Sequence, residues 1–194
     1  MNTSLDHLPA SKQTHLAHIV EVLRDEFEQV VGFSTGKKKH SRIHKIILFG
    51  SYATGKWVDD PANGYISDYD ILVVVSDQKI AEEYKIWDRA EDRIALRVRQ
   101  PVTILVHTLS DVNDAISHGQ YFFSDIRRQG ILLYQGDTRE LAPIGQLSAE
   151  EVKQTAEKHF REVPRTLKAF EHWFGKYPFY EDSYKLVAPD DEDS

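Results

Sequence analysis

Two aspartates, Asp68 and Asp70, flank Tyr69 at the head of an apolar run, Ile71-Leu72-Val73-Val74-Val75. In an extended chain, side chains at i and i+2 share a face, with Cα atoms about 6.5 Å apart. Two bare carboxylates at that range repel by about 2–3 kcal/mol at an effective dielectric near 20. A cation between them removes the repulsion. Mg²⁺ suits such a pair, because it takes one or two carboxylates and fills its remaining positions with phosphate oxygens and water. Upstream, Leu48-Phe49-Gly50-Ser51 closes a second apolar run. Gly50 lets the backbone bend and approach a ligand with no Cβ in the way. Ser51 either caps a following helix or offers its hydroxyl to a phosphate oxygen, where free N–H groups favour anions. Together the two segments describe a site for a nucleoside triphosphate and its divalent metal. The plainer alternative is that Asp68 ends a turn and Ser51 is an ordinary N-cap.

The elements that must hold these residues can be read from hydrophobic spacing. Residues 12–31 put Leu16, Ile19, Val20, Leu23, Phe27 and Val30 on one helical stripe. Ile43 to Phe49 reads as a buried strand ending sharply at Gly50, and Lys56 to Ile66, with Pro61, Asn63 and Gly64, reads as a loop. Asp68 to Val75 is a central strand, apolar on both faces after the aspartates. Residues 77–98 return to helical spacing through Ile80, Tyr84, Trp87, Ile94 and Leu96. Pro101 stops that helix, and Val102 to His107 is a third strand. Asp111 to Ile126 reads as helix with a break at Gly119, and Ile131 to Tyr134 as a last short strand. This alternation describes a small α/β sheet domain spanning 1–136, with its core at 43–136. Beyond it, Pro143, Gly145 and Ser148 mark a linker, and a capping box at Ser148–Glu151 opens a helix kinked at Pro164, followed by an acidic tail.

Composition excludes several chemistries. The 194 residues contain no cysteine, so disulfides, thiolate catalysis and Cys-ligated zinc are ruled out. A net charge of -7 argues against a protein that coats nucleic acid through counterion release. No run approaches the roughly 20 apolar residues of a membrane span, and Asp6, His7 and Lys12 interrupt the start where a secretory signal is apolar. A cytoplasmic protein is the expectation.

Strand, Gly-Ser, spacer and Asp-x-Asp at the head of a strand resembles the nucleotidyltransferase superfamily that includes DNA polymerase beta. Within it, LFGSYATG followed by SDYDILVVV looks most like the minimal domains fused or paired with HEPN domains. GQYFFSDIRRQGILLY resembles the join to such a partner. The resemblance implies a small mixed β-sheet flanked by helices, with a C-terminal helical appendage at 137–194. It implies that Gly50 and Ser51 contact the triphosphate and that Asp68 and Asp70 are catalytic and hold Mg²⁺. The implied reaction transfers a nucleoside monophosphate from an NTP, ATP by expectation, to a hydroxyl. The acceptor would be a protein, a HEPN partner of a toxin–antitoxin pair included, or a small molecule, though no acceptor pocket for the latter is signalled. A homo-oligomer stays open.

Two departures from the family pattern stand out. Its third carboxylate belongs on the next core strand, where this chain has Thr103. That keeps a second function in view, a non-catalytic nucleotide-binding or antitoxin-like module. Residues 137–194 are also too few for a whole HEPN bundle, so only a partial HEPN-like start is expected. Arg165 and His172 match the HEPN ribonuclease spacing but read as coincidence on a linker helix. His40 and His44 read as a loop-to-strand pair rather than metal ligands. His107 shares a face with Thr103 by period two, Asp111 reads as a helix cap, and Arg127 and Arg128 read as solvated. Trp87, Phe170, Trp173 and Phe174 read as core or interface aromatics.

Overall fold

A computed structural model describes residues 1–32, 34, 39–60 and 62–145. The chain divides into two compact units, Met1–Gln146 and Leu147–Ser194. All described residues lie in the first. The helix expected at 148–175, its kink at Pro164, and Arg165, Phe170, His172, Trp173 and Phe174 lie outside the described residues, as does the acidic tail.

The elements run α1 (Ala10–Gly32), β1 (Ile43–Phe49), α2 (Gly50–Thr54), β2 (Asp59–Asp60), β3 (Tyr65–Ile66), β4 (Tyr69–Val75), α3 (Gln78–Ala81), α4 (Tyr84–Ala95), β5 (Val102–Thr108), α5 (Leu109–Ser117), α6 (Tyr121–Gln129) and β6 (Ile131–Gln135). The main sheet has the order β5-β4-β1-β6. β1 pairs antiparallel with β4 and β6, while β4 pairs parallel with β5. A parallel pair needs a crossover, and α3 with α4 supplies it. The result is the small mixed sheet flanked by helices that the sequence implied. β1 and β4 are central and buried on both faces, which is why they read as near-continuous apolar runs. The edge at β6 is partly covered by the N-terminus, where Leu132 N–H donates to the Asn2 carbonyl at 2.8 Å.

Alternation along β4 divides the core. Ile71, Val73 and Val75 point to a cluster with Leu16, Ile19, Leu23 and Phe27 of α1 and Ile86, Trp87 and Ala90 of α4. Leu72 and Val74 point the other way, to Val112, Ile116 and Ile126 of α5 and α6. Residues after β6 continue over this second face: Leu141 is buried, and Ala142 N–H donates to Asn113 Oδ1 at 2.8 Å.

Several details differ from the sequence reading. On α1 the buried stripe includes Val22, with Val20 and Val30 only partly buried. The single helix expected over 77–98 is two. Asp77 caps α3 by accepting from Ile80 N–H, one turn follows, and the helical phase restarts at Tyr84. The restart turns Tyr84 and Leu96 outward, 70% and 84% exposed, and buries Ile86 and Ala90 instead. The loop at 56–66 contains the short β2–β3 hairpin. At α5 the cap is Thr108, whose hydroxyl accepts from Asp111 N–H at 3.1 Å, so Asp111 sits in the first turn rather than capping.

One buried charge ties α1 to α4. Glu26 is 4% exposed; its carboxylate takes Arg93 Nη1 at 2.6 Å and Arg89 Nε at 3.2 Å. A buried carboxylate stripped of its cations costs about 3–5 kcal/mol, whereas an apolar replacement of the whole interaction is often near neutral. The Arg89→Ala/Arg93→Ala variant is therefore expected to lose more stability in urea denaturation than Glu26→Leu. The reverse order would show that the ion pairs are incidental to α1–α4 packing.

Candidate functional site

The site forms where three strands end together. In register, Asp70 lies opposite Phe49 of β1 on one side and Thr103 of β5 on the other. Gly50 follows Phe49 directly with φ +71°, a left-handed conformation that L side chains rarely adopt. A Cβ at residue 50 would fall onto Asp70 Oδ2 and within 2.9 Å of its Cγ. Glycine is thus required twice over, by backbone angle and by contact with the carboxylate. Gly50 and Asp70, distant in sequence, are brought together.

Asp68 stands just before β4, and its Oδ2 accepts a hydrogen bond from Thr103 Oγ1 at 2.8 Å. Asp68 and Asp70 share the face that carries Leu72 and Val74. Among the described residues Asp70 accepts no hydrogen bond. Burial, reinforced by the negative charge of Asp68, pushes its pKa up to about 6. A half-buried carboxylate with no donor and a like-charged neighbour is a group that a cation would relieve. No three His, Asp or Glu side chains converge among the described residues. Two carboxylates with room left for phosphate and water nevertheless fit the ligand habit of Mg²⁺.

Ser51 is not a cap. The N-cap position of α2 is Phe49, with no side-chain capping bond, and Ser51 lies inside the first turn. Its hydroxyl has no hydrogen-bond partner among the described residues and is free to meet a ligand. Its carbonyl closes the turn, accepting from Lys56 N–H at 2.9 Å. Thr103 occupies the position opposite Asp70 that the resemblance assigns to a third acid, and it serves Asp68 as a donor. His107 lies on the Thr103 face but four residues further along, opposite Val74, with its ring edge-on to Phe123 at 5.2 Å. It packs there rather than reaching the carboxylates. His44 is fully buried and bonds Asp137 Oδ2 at 2.8 Å, so it is a core histidine, not one of a metal pair with exposed His40. Arg127 and Arg128 border a different cleft with Met1, Pro143 and Ile144.

The other face of β4 holds what sequence reasoning missed. Tyr69, between the aspartates, points away from them and is fully buried, stacked on Tyr52 of α2 at 4.2 Å. Tyr52 stacks in turn on Trp57 at 5.4 Å. Lys12 Nζ lies over both Tyr52 and Trp57 and pairs with Asp59 at 2.6 Å. His15 Nδ1 meets the Tyr69 hydroxyl at 3.1 Å. These contacts clamp α1, α2 and the 57–59 segment to the head of β4, where both aspartates lie. Period two put Tyr69 opposite its neighbours; nothing local marked Lys12 as the buried companion of Tyr52 and Trp57.

Residues 35–139, more than half of the chain, match the family model described as "Polymerase beta, Nucleotidyltransferase". The chain belongs to this nucleotidyltransferase family. No curated protein matches it. Among solved structures it is similar to a tri-AMPylated Shewanella oneidensis HEPN toxin in complex with MNT antitoxin. That match has 16% identity, covers 84% of this chain and 90% of that chain, and has a TM-score of 0.34. A mutant form of the toxin–antitoxin MntA-HpeT matches at 15% identity, 81% and 98% coverage and a TM-score of 0.38. The toxin–antitoxin MntA-HepT matches at 16% identity, 83% and 98% coverage and a TM-score of 0.33. Among the described residues no helix is long and apolar enough to cross a membrane.

The charge at Asp70 makes a pH-dependent test. Its folded pKa is raised to about 6 from 3.8, so between those values the folded state binds more protons than the unfolded chain. Stability therefore falls as pH rises through that window, and the full penalty is present above it. Asp70→Asn is expected to stabilise the metal-free protein at pH 8 by about 1–2 kcal/mol after allowance for solvent screening, with the gain disappearing below about pH 4. Urea melts at pH 8 and pH 4 check this; a variant less stable than the parent at pH 8 would contradict it.

Proposed function

We propose that this nucleotidyltransferase domain binds a nucleoside triphosphate, ATP by preference, and transfers its nucleoside monophosphate to a hydroxyl acceptor. The observation that carries this reading is the contact between Gly50 and Asp70. It places a backbone turn without a side chain against a carboxylate that is half-buried, electrostatically strained and paired with Asp68. Asp68 and Asp70 are the groups that would hold a divalent ion, with Mg²⁺ expected. Such an ion would supply charge neutralisation at the phosphate oxygens. Gly50 and the free Ser51 hydroxyl lie where phosphate oxygens of the triphosphate would rest.

In the reaction the acceptor oxygen bonds to the α-phosphorus as the bond from that phosphorus to the α–β bridging oxygen breaks, and pyrophosphate leaves. The acceptor hydroxyl loses a proton, and Thr103 cannot accept it at neutral pH. The proton passes to water or to a base other than Thr103. For the acceptor we take a hydroxyl of a HEPN-domain protein, the partner class implied by the sequence resemblance at residues 119–134.

A second reading has its own support. Thr103 replaces an anionic ligand and uses its hydroxyl on Asp68 Oδ2, which favours a domain that binds nucleotide without turning it over. Incubation with α-labelled ATP, Mg²⁺ and a HEPN-domain protein separates the two. Label on the acceptor with release of pyrophosphate is expected, abolished in the Asp68→Asn/Asp70→Asn variant. Equal transfer by the variant would remove these aspartates from the site, and tight ATP binding with no pyrophosphate released would support the binding module.

A further inference from the structure

Gly50 belongs to two surfaces. It lies against Asp70, and it also lines a cleft of about 360 Å³ between α2 and α6, together with Phe49, Thr54, Tyr121, Phe122, Asp125 and Gln129. The cleft walls carry no lysine or arginine, so they do not suit a phosphate. They are apolar and aromatic instead.

The rings are held in a chain of edge-to-face contacts. Phe49 meets Phe122 at 5.6 Å and 87°, Phe122 meets Phe123 at 5.1 Å and 78°, and Phe123 meets His107 at 5.2 Å and 89°. Anchored in this way, Phe122 is still 45% exposed, and Tyr121 beside it is 78% exposed. Tyr121, Phe122, Asp125 and Gln129 share one side of α6, the side facing α2. Polar groups are few. Asp125 is engaged by Arg128 at 3.5 Å, and the Thr54 hydroxyl donates back to the Gly50 carbonyl at 3.0 Å. The Gln129 amide can offer both donors and an acceptor to a ligand edge.

The cleft opens on the face of the sheet that carries the carboxylates. Phe49 packs on the same cluster as Ile47, two residues before it, together with Leu72 and Val74. A ligand whose charged end sits at Gly50, Ser51, Asp68 and Asp70 therefore meets exposed aromatic rings directly beside that end. The volume is at the lower end of small-molecule pockets, about 300–1,000 Å³. It suits a flat, uncharged group rather than a second polypeptide.

We propose that this cleft receives the base and sugar of the nucleoside triphosphate, with Tyr121 and Phe122 as the stacking platform. The proposal rests on the nucleotide reading of the carboxylate site and adds where the uncharged half of the substrate lies. Stacking tolerates every base because each has a π-face. Discrimination between bases then falls to Gln129.

Calorimetric titration of the full chain with Mg²⁺-ATP and with Mg²⁺-tripolyphosphate separates the two halves of the substrate. The Tyr121→Ala/Phe122→Ala variant is expected to bind Mg²⁺-ATP about 10-fold more weakly, within the range of about 5- to 150-fold for loss of a base-stacking ring. Its affinity for tripolyphosphate is expected to be unchanged, which also shows that it is folded. Phe122→Tyr is expected to retain ATP affinity, and Asp70→Asn to weaken both ligands. Parallel weakening of ATP and tripolyphosphate in the aromatic variant, or an unaltered ATP affinity there, overturns the proposal alone. Failure of the parent protein to bind tripolyphosphate with Mg²⁺ overturns the nucleotide reading and this proposal with it.

Discussion

The absence of a side chain at residue 50 lets a carboxylate stand at the shared end of the central strands. β1 must end, turn and lead into α2 at the point where β4 presents Asp70. Any Cβ at the turn would occupy the volume of that carboxylate. The left-handed φ of Gly50 adds a second requirement at the same atom. Everything else near the site follows from satisfying both: the register that sets Phe49 opposite Asp70, the tight α2 turn, and the exposure of Ser51 to a ligand rather than to a capping role.

Strand alternation then separates positioning from chemistry. At the head of β4 the even residues Asp68 and Asp70 face the site, while Tyr69 turns into the packed side, where α1 and α2 hold it. Burial of Tyr69 fixes the direction of its two neighbours. The energy for holding two like charges side by side comes from this apolar anchoring and from the sheet ladder, not from local compensation at the carboxylates. Asp68 does receive the Thr103 hydroxyl. Asp70 receives nothing among the described residues, and its raised pKa records the cost.

Much of this was legible in the sequence because it depends on short-range spacing. The four strands of the main sheet show as apolar runs, the shared face of the aspartates follows from period two, and the turn at Gly50 follows from glycine's conformational freedom. The break between α3 and α4 was not legible, since the apolar spacing continued across it and α4 restarts at Tyr84 without a side-chain cap. The aromatic cage of Tyr52, Trp57 and Tyr69 with Lys12 was also hidden: it joins three elements, and a buried lysine carries no local signature. The same holds for Glu26, which reads as a surface residue until Arg89 and Arg93 arrive from α4. Phe122 and Tyr121 showed as aromatic letters, but their place beside Gly50 depended on how α6 crosses the sheet.

That two carboxylates and a bare turn together hold one metal–nucleotide complex is most directly tested by Mn²⁺, observed by electron paramagnetic resonance as it is titrated into the protein with ATP. The geometry at Asp68, Asp70 and Thr103 predicts a single tightly bound ion per chain that requires ATP and is lost in the Asp68→Asn/Asp70→Asn protein. Ion binding unchanged by that double substitution, or no bound ion in the parent protein with ATP present, would contradict it.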